Sequence, residues 1–81
     1  MNVRVRSFAR IRELIGSDSQ ALDVPQGATV ETVWSAIAER TPTLSSLSSS
    51  VRFALNGSIV EPSVKLKDGD EVALLPPSSG G

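Results

Sequence analysis

The last six residues of this 81-residue chain have the composition best suited to chemistry, and they read Pro76-Pro77-Ser78-Ser79-Gly80-Gly81. Proline has a fixed φ and no N–H to donate, so the first two residues cannot extend a strand and should project the segment from the domain. Glycine has no side chain, so the last two residues can enter a narrow channel and present a carboxylate there. The same composition is typical of a frayed terminus or a linker, and composition alone does not separate these interpretations.

The other side chains offer little for catalysis, because the chain contains no Cys and no His. These two residue types supply most general bases, soft-metal ligands and activated nucleophiles in proteins. Serine is plentiful, but a serine nucleophile needs a nearby base, and Lys65 and Lys67 are predicted to lie in a solvated turn. Catalysis by this chain alone is therefore not expected, and any reaction should take place at a terminus or inside a partner.

Two further features have a functional and a structural interpretation. Asp68, Asp70 and Glu71 are close enough in sequence for a metal site, but acids beside a glycine are more often a solvated turn, so no metal ligand is assigned. Trp34 lies on an apolar stripe at helical spacing, which favours core packing over a platform for a cofactor.

Charge and length exclude several classes of function. The chain has eight Lys and Arg against nine Asp and Glu, scattered along its length, for a net charge of -1. Such a balance creates no field to hold nucleic acid or anionic lipid. No apolar run approaches the length of a signal core or a membrane span, so a cytoplasmic protein without membrane attachment is expected. The length predicts a single domain with one small core.

Hydrophobic periodicity predicts the elements of the first half. Val3 and Val5 alternate with arginines over residues 2–6, which indicates a half-buried strand. A short helix is predicted over 9–15 with Gly16 in its left-handed terminating position, followed by a strand around Leu22 and Val24. The clearest helix should begin at the N-cap Thr29 and end near residue 40, because Pro42 disfavours helical geometry before it.

The second half is predicted to be mostly strand. Residues 43–50 are Ser-rich and form either a loop or one weak helical turn held by Leu44 and Leu47. Asn56-Gly57 between two apolar segments is a strong signal for a hairpin, because both positions tolerate positive φ. A polar turn over 67–70 and a last strand over 71–75 follow. This order favours an α+β roll over residues 1–75, with 76–81 as a projecting flexible tail.

Several short motifs together resemble one family. The chain carries Phe8-Ala9, Arg12-Glu13-Leu14 and Gly16, then Asn56 and Ile59-Val60, then Asp68-Gly69-Asp70-Glu71-Val72-Ala73, and finally Pro76-Pro77 and Gly80-Gly81. None of these is specific alone, but at these spacings the chain resembles the small subunits of molybdopterin synthases, which are ubiquitin-like sulfur carriers. The resemblance implies a β-grasp fold, with a mixed sheet, one main helix packed across it, and the first and last strands side by side and parallel.

The resemblance also implies a carrier cycle. An ATP-consuming adenylating enzyme similar to ubiquitin E1 would activate the Gly81 carboxylate, and a sulfur donor protein would convert the acyl-adenylate to a thiocarboxylate. The tail, with Pro77, Ser78, Ser79 and Gly80, would then enter the large catalytic subunit, where sulfur passes to a pterin precursor. No cofactor would be bound permanently, and catalytic residues would lie on the partner. Two carriers on a dimeric core would form a heterotetramer.

Three apolar residues are predicted to lie off the buried faces of their strands. Phe8 breaks the alternation of Val3 and Val5, Ile59 follows the hairpin turn, and Leu75 has the opposite parity to its apolar neighbours. Together with the projecting tail they are expected to form an exposed apolar patch that binds the large subunit.

Two rival functions stay open on the sequence. The first is a ubiquitin-like sulfur carrier for thiazole, cysteine or transfer-RNA thiolation, which would share the fold and the Gly-Gly end. The early helix favours the molybdopterin type, because thiazole carriers tend to lack it. The second is a non-catalytic β-grasp interaction module with a disordered tail, in which removal of Gly80-Gly81 would leave activity intact.

Overall fold

The computed structural model describes residues 1–77. The elements in chain order are β1 (Asn2–Ser7), α1 (Ala9–Ile15), β2 (Ser19–Asp23), α2 (Val30–Arg40), a 3-10 helix (Pro42–Leu47), β3 (Arg52–Leu55), β4 (Ser58–Val60) and β5 (Glu71–Leu75). The predicted tail lies outside the described residues from Ser78 to Gly81. No helix within residues 1–77 is long and apolar enough to cross a bilayer.

The five strands form one sheet in the order β2-β1-β5-β3-β4. β1 and β5 are parallel, with Arg4 opposite Glu71 and Ser7 opposite Leu74, and the other neighbouring pairs are antiparallel. The mixed sheet and the parallel pairing of first and last strands confirm the predicted β-grasp roll. The last strand is therefore inserted between β1 and β3, in the middle of the sheet.

One face of the sheet packs on α2 to form the core. Val3 and Val5 of β1 are fully buried, and α2 buries Val30, Val33, Trp34 and Ile37. Burying an aliphatic side chain of this size contributes about 2 kcal/mol. Trp34 meets Phe53 edge to face at 6.0 Å between ring centroids and donates from Nε1 to Ser48 Oγ at 3.1 Å. Its assignment to the core is confirmed.

α2 begins and ends where the sequence predicts. Thr29 Oγ1 accepts from the Thr32 N–H at 3.3 Å, and Thr32 Oγ1 accepts from the Thr29 N–H at 3.1 Å. This reciprocal capping contributes about 1 kcal/mol. The sequence analysis identified Thr29 as the N-cap but not Thr32 as its partner, because the residue three positions after such an N-cap is usually Glu or Gln. The last turn closes at Thr41, one residue before Pro42.

The Ser-rich segment is a short 3-10 helix, and its Leu44 is fully buried in the core. The second strand ends at Asp23, one residue before the predicted Val24, although Val24 is buried as expected of a core residue. The hairpin forms at Asn56-Gly57, with φ values of 49° and 91°. The predicted helix over 9–15 is also confirmed, and Gly16 ends it at a φ of 87°.

Candidate functional site

The site is best described from the two ends of the central strands. The exit end is where β1 and β5 finish, at Ser7 and Leu75, and from it the chain continues into Pro76. The turn end is where both strands begin, at Asn2 and Glu71, and it also holds the turns at 56–57 and 67–70. The strand order therefore places the start of the predicted tail next to paired backbone, since Leu74 lies opposite Ser7 of β1 and Leu75 lies opposite Arg52 of β3.

The structure places the first two residues of the predicted tail and leaves out the rest. Pro76 is half-buried and Pro77 is exposed. Neither has an N–H to continue the ladder of β5. Of the predicted insertion residues, Pro77 is therefore described, while Ser78, Ser79, Gly80 and the predicted reactive Gly81 lie outside the described residues.

The predicted patch residues lie on one face of the sheet, opposite α2. Phe8 and Ile59 are the large apolar side chains that the described chain exposes most, at 39% and 56%, and Leu75 is half-buried. Phe8 has extended backbone, with φ of -131° and ψ of 153°, so it continues the line of β1 beside the end of β5. Phe8 lies an even number of residues after the exposed Arg4, so the two side chains are on the same face of the sheet.

The floor between these residues was missed by the sequence analysis. The strand registers place Arg6, Ala73, Ala54 and Ile59 in one row across four strands. The two alanines are small, so the middle of this face is shallow and apolar. The alternation of residues along β3 and β5 places each alanine on the face opposite α2, but only the strand register shows that the two alanines are neighbours.

Arginines border this face. The Arg6 guanidinium lies 5.4 Å from the centroid of the Phe8 ring and 4.0 Å from a carboxylate oxygen of Glu71. A cation over an aromatic face is attracted to its electrons, so Arg6 helps to hold the Phe8 ring. Arg4 and Arg52 are exposed on the same face. The face therefore combines an apolar floor with a basic border, which suits a partner surface that is apolar with acidic groups at its edge.

Two local features at the exit end are energetically unfavourable. Ala9 has a φ of 50°, a left-handed conformation that costs a residue with a Cβ about 1–2 kcal/mol. Ser7 is 2% exposed, and its Oγ has no hydrogen-bond partner among the described residues. Both residues adjoin Phe8, so the segment that presents this side chain is less relaxed than the rest of the sheet.

The turn end is closed by hydrogen bonds. Asn56 donates from Nδ2 to Asp70 Oδ1 at 3.0 Å and accepts at Oδ1 from the Glu71 N–H at 2.9 Å. Asp70 Oδ2 also accepts from the Lys67 N–H at 2.7 Å. The hydrogen bond from Asn56, followed by that from Lys67, lowers the pKa of the Asp70 carboxyl below its ordinary value of 3.8. Within residues 1–77 no cluster of acids has the arrangement of a metal site.

Comparison with known proteins shows likeness along nearly the whole chain. A sequence profile of the ThiS family matches residues 5–81. The molybdopterin synthase sulfur carrier subunit of Chlamydomonas reinhardtii is 42% identical over 83 residues, which cover 100% of both chains. Its counterpart in Escherichia coli is 36% identical, over 98% of this chain and 99% of that one.

Solved structures show the same fold. SAMP1 from Haloferax volcanii superposes with a TM-score of 0.87 at 29% identity, covering 100% of both chains. In the complex of subunits 1 and 2 of the molybdopterin-converting factor from Helicobacter pylori, one chain superposes with a TM-score of 0.70 at 28% identity, again over 100% of both chains.

Proposed function

The chain belongs to the ThiS family, and on this premise we propose that it is the sulfur carrier subunit of a molybdopterin synthase. One observation carries the proposal. Alignment with the Chlamydomonas reinhardtii carrier spans both chains completely, so it includes the Gly80-Gly81 end as well as the folded domain. The absence of Cys and His agrees with a carrier whose reactive group is its own carboxylate.

The proposed cycle has three steps. An E1-like enzyme transfers AMP from ATP to the Gly81 carboxylate and releases pyrophosphate. A sulfur donor then supplies sulfur to the acyl carbon and AMP leaves, because a carboxylate becomes a useful electrophile only with such a leaving group. The resulting thiocarboxylate carries an anionic sulfur, the nucleophilic form of the element, which attacks the pterin precursor in the large subunit. Hydrolysis of the bond between this sulfur and the Gly81 acyl carbon then leaves the sulfur on the precursor and restores the Gly81 carboxylate. The carrier itself holds no resident cofactor.

In this cycle the folded domain positions the tail and docks on the large subunit. Pairing of β5 with β1 up to Leu74 and with β3 up to Leu75 fixes the backbone from which the tail departs. Pro76 and Pro77 then prevent the tail from extending the sheet. Without side chains, Gly80 and Gly81 leave room for the activating enzyme and the synthase to close around the reacting carbonyl.

The exposed sheet face is the proposed dock for the large catalytic subunit. Phe8 and Ile59 supply apolar anchors around the alanine floor, and the basic border orients the carrier. The solved two-subunit complex of the Helicobacter pylori converting factor supports a partner of this kind. With two carriers on a dimeric core, the assembly would be a heterotetramer.

The decisive experiment changes the end of the chain and leaves the domain alone. Appending one residue after Gly81 moves the reactive carboxyl by about 3.5 Å. A misplacement of about 1 Å can already cost a hundredfold in a positioned reaction. Deletion of Gly81 or a one-residue extension should therefore abolish thiocarboxylate formation or transfer while leaving the melting temperature nearly unchanged.

The assay combines carrier, activating enzyme, ATP, a sulfur source, large subunit and pterin precursor. Intact mass reports the exchange of one oxygen for sulfur, and the dithiolene product reports transfer. A carrier with one residue added before Met1 is the matched control and should stay active. Thiocarboxylate without dithiolene would point to another thiolation pathway, and full activity from an untrimmed C-terminal extension would leave only the fold.

A further inference from the structure

A groove lies beside α2, on the side of the sheet opposite the face that carries Phe8 and Ile59. Its volume is about 470 Å³, which is within the range of about 300–1,000 Å³ that is typical of binding pockets. The floor of the groove is apolar and consists of Trp34, Ala38, Phe53 and Pro62. Trp34 and Phe53 are each only 6% exposed, so the core holds both rings in place.

Hydrogen bonds join α2 to both of the segments that border the groove. Trp34 donates from Nε1 to Ser48 Oγ at 3.1 Å, and the Glu31 N–H donates to the Pro62 carbonyl at 2.9 Å. The Val30 N–H donates to the carbonyl of Val64 at 3.0 Å. The groove is therefore preformed, and a ligand does not have to order its walls.

Three polar residues follow one another along the groove at intervals of four residues in α2. They are Glu31, Ser35 and Glu39, and all three are exposed. Because an α-helix rises 1.5 Å per residue, Ser35 lies about 6 Å along the axis from each glutamate. Among residues 1–77, neither glutamate is in an ion pair, and no Lys or Arg lines the groove. The groove therefore combines an apolar floor with two negative charges that the described chain does not neutralise.

One of these glutamates lies where its own helix disfavours an acid. Glu31 is in the first turn of α2, where the positive end of the helix dipole stabilises a carboxylate. Glu39 is in the last turn, at the negative end. Arg40 follows it, but lines a different cavity together with Ile15 and Thr41. Local helix electrostatics therefore does not account for Glu39, whereas a positively charged ligand in the groove does.

We propose that this groove binds an arginine side chain of a partner protein, with the guanidinium above Ser35 and between the carboxylates of Glu31 and Glu39. Charge complementarity selects a cation. Arginine fits better than lysine, because its planar guanidinium is weakly hydrated, packs on aromatic rings and forms paired hydrogen bonds to carboxylates. Its alkyl stem packs on the apolar floor.

This partner is additional to the large catalytic subunit. The groove and the proposed docking face are on opposite sides of the sheet, so both can be occupied at the same time. Recognition of arginine by the groove does not require sulfur transfer, and the inference therefore goes beyond the proposed function.

The test uses a short peptide of defined sequence, acetylated and amidated Gly-Leu-Arg-Leu-Gly. The matched peptide has citrulline in place of arginine, which keeps the shape of the side chain and removes its charge. Trp34 is the only tryptophan of the chain, so its indole N–H gives a single signal in a proton–nitrogen correlation spectrum. Its hydrogen bond to Ser48 places this signal at the groove.

The arginine peptide should shift the Trp34 indole signal and the amide signals of Ser35 and Ser48, and the shifts should saturate. The citrulline peptide should bind about fivefold more weakly, as expected for the loss of two exposed ion pairs. Added salt should reduce the difference between the two peptides, because it screens exposed charges.

Two pairs of substitutions locate the effect. Glu31→Gln combined with Glu39→Gln should bring the two peptides to equal affinity. Glu13→Gln combined with Asp18→Asn removes the same charge beside α1 and should keep the fivefold difference. All four residues are exposed, so both double variants should fold, and the dispersion of their spectra checks this.

Three results would overturn the proposal. Equal affinity of the two peptides for the unmodified chain would show that the groove does not recognise charge. Loss of the difference in both double variants would show that net charge, and not the groove, attracts arginine. An unshifted Trp34 indole signal, with shifts elsewhere, would place the binding outside the groove. None of these results depends on whether the protein carries sulfur.

Discussion

The exit end and the turn end of the same sheet are built by different rules. Both contain a residue other than glycine at positive φ. At the turn end it is Asn56, a residue type that tolerates this conformation, and its amide makes two hydrogen bonds. At the exit end it is Ala9, which tolerates it poorly, next to Phe8 and close to a buried Ser7 hydroxyl without a partner among the described residues.

The difference shows where the domain gains stability and where it keeps a surface available. The turn end locks β3 to β5, so the central strand is held at its first residue. At the exit end the apolar side chain of Phe8 is exposed to solvent, and the backbone beside it at Ala9 is strained. Local costs of this kind are common where a protein binds a partner, and they persist because the surrounding sheet determines the backbone. Four predictions test the comparison.

The largest effect should come from adding charge to the exit-end face. Phe8→Glu and Leu75→Glu each place a carboxylate where an apolar contact is expected and should weaken binding of the large subunit by about 2 kcal/mol, or about thirtyfold. Ser58→Glu adds the same charge at the turn end and should bind normally. Calorimetry of purified carrier and large subunit measures the difference, and unchanged binding by both exit-end variants would refute the docking face.

The next effect concerns stability at the turn end. Asn56→Ala removes both side-chain hydrogen bonds and leaves alanine at positive φ, so the free energy of unfolding should fall by about 2 kcal/mol. Asn2→Ala is the control, because the backbone N–H of Asn2, not its side chain, binds Asp68. Denaturant titration should show a clear loss for the first variant only. Equal losses would mean that the amide network adds nothing.

Relief of the backbone strain at the exit end should change the free energy of unfolding in the opposite direction to Asn56→Ala. Ala9→Gly removes the Cβ from a left-handed residue and should raise the free energy of unfolding by about 0.5–1 kcal/mol after the extra entropy of glycine in the unfolded chain. Ala38→Gly, inside α2, should lower it by about 1 kcal/mol. Thermal unfolding compares the two, and destabilisation by Ala9→Gly would show that this backbone is relaxed.

The smallest effect is the response of the turn end to acid. Because the folded pKa of Asp70 lies below its ordinary value of 3.8, this carboxylate stabilises the fold above that pH. Its contribution should decline as the pH falls below 3.8 and disappear below the folded pKa. Asp70→Asn should remove this part of the pH dependence. Unfolding midpoints measured from neutral pH into acid would reveal it, and identical profiles would contradict it.

Local patterns were enough to predict most of the elements. Alternation around Val3 and Val5, the N-cap at Thr29 and the Asn56-Gly57 turn each act over a few residues, and the structure confirms all three. The strain at Ala9 and the Ser7 hydroxyl, which has no partner within residues 1–77, could not be predicted this way. Both depend on how the chain leaves β1 against elements that are distant in sequence.

By itself, the sequence determined which residues alternate, where helices begin and end, and that Gly80-Gly81 occurs in a chain with no Cys and no His. Periodicity has no information on which strands are neighbours, because pairing joins residues whose separation is set by packing of the whole core. Only the tertiary structure therefore decided that β5 lies between β1 and β3. That one insertion brings Phe8, Ile59 and Leu75 to a common face.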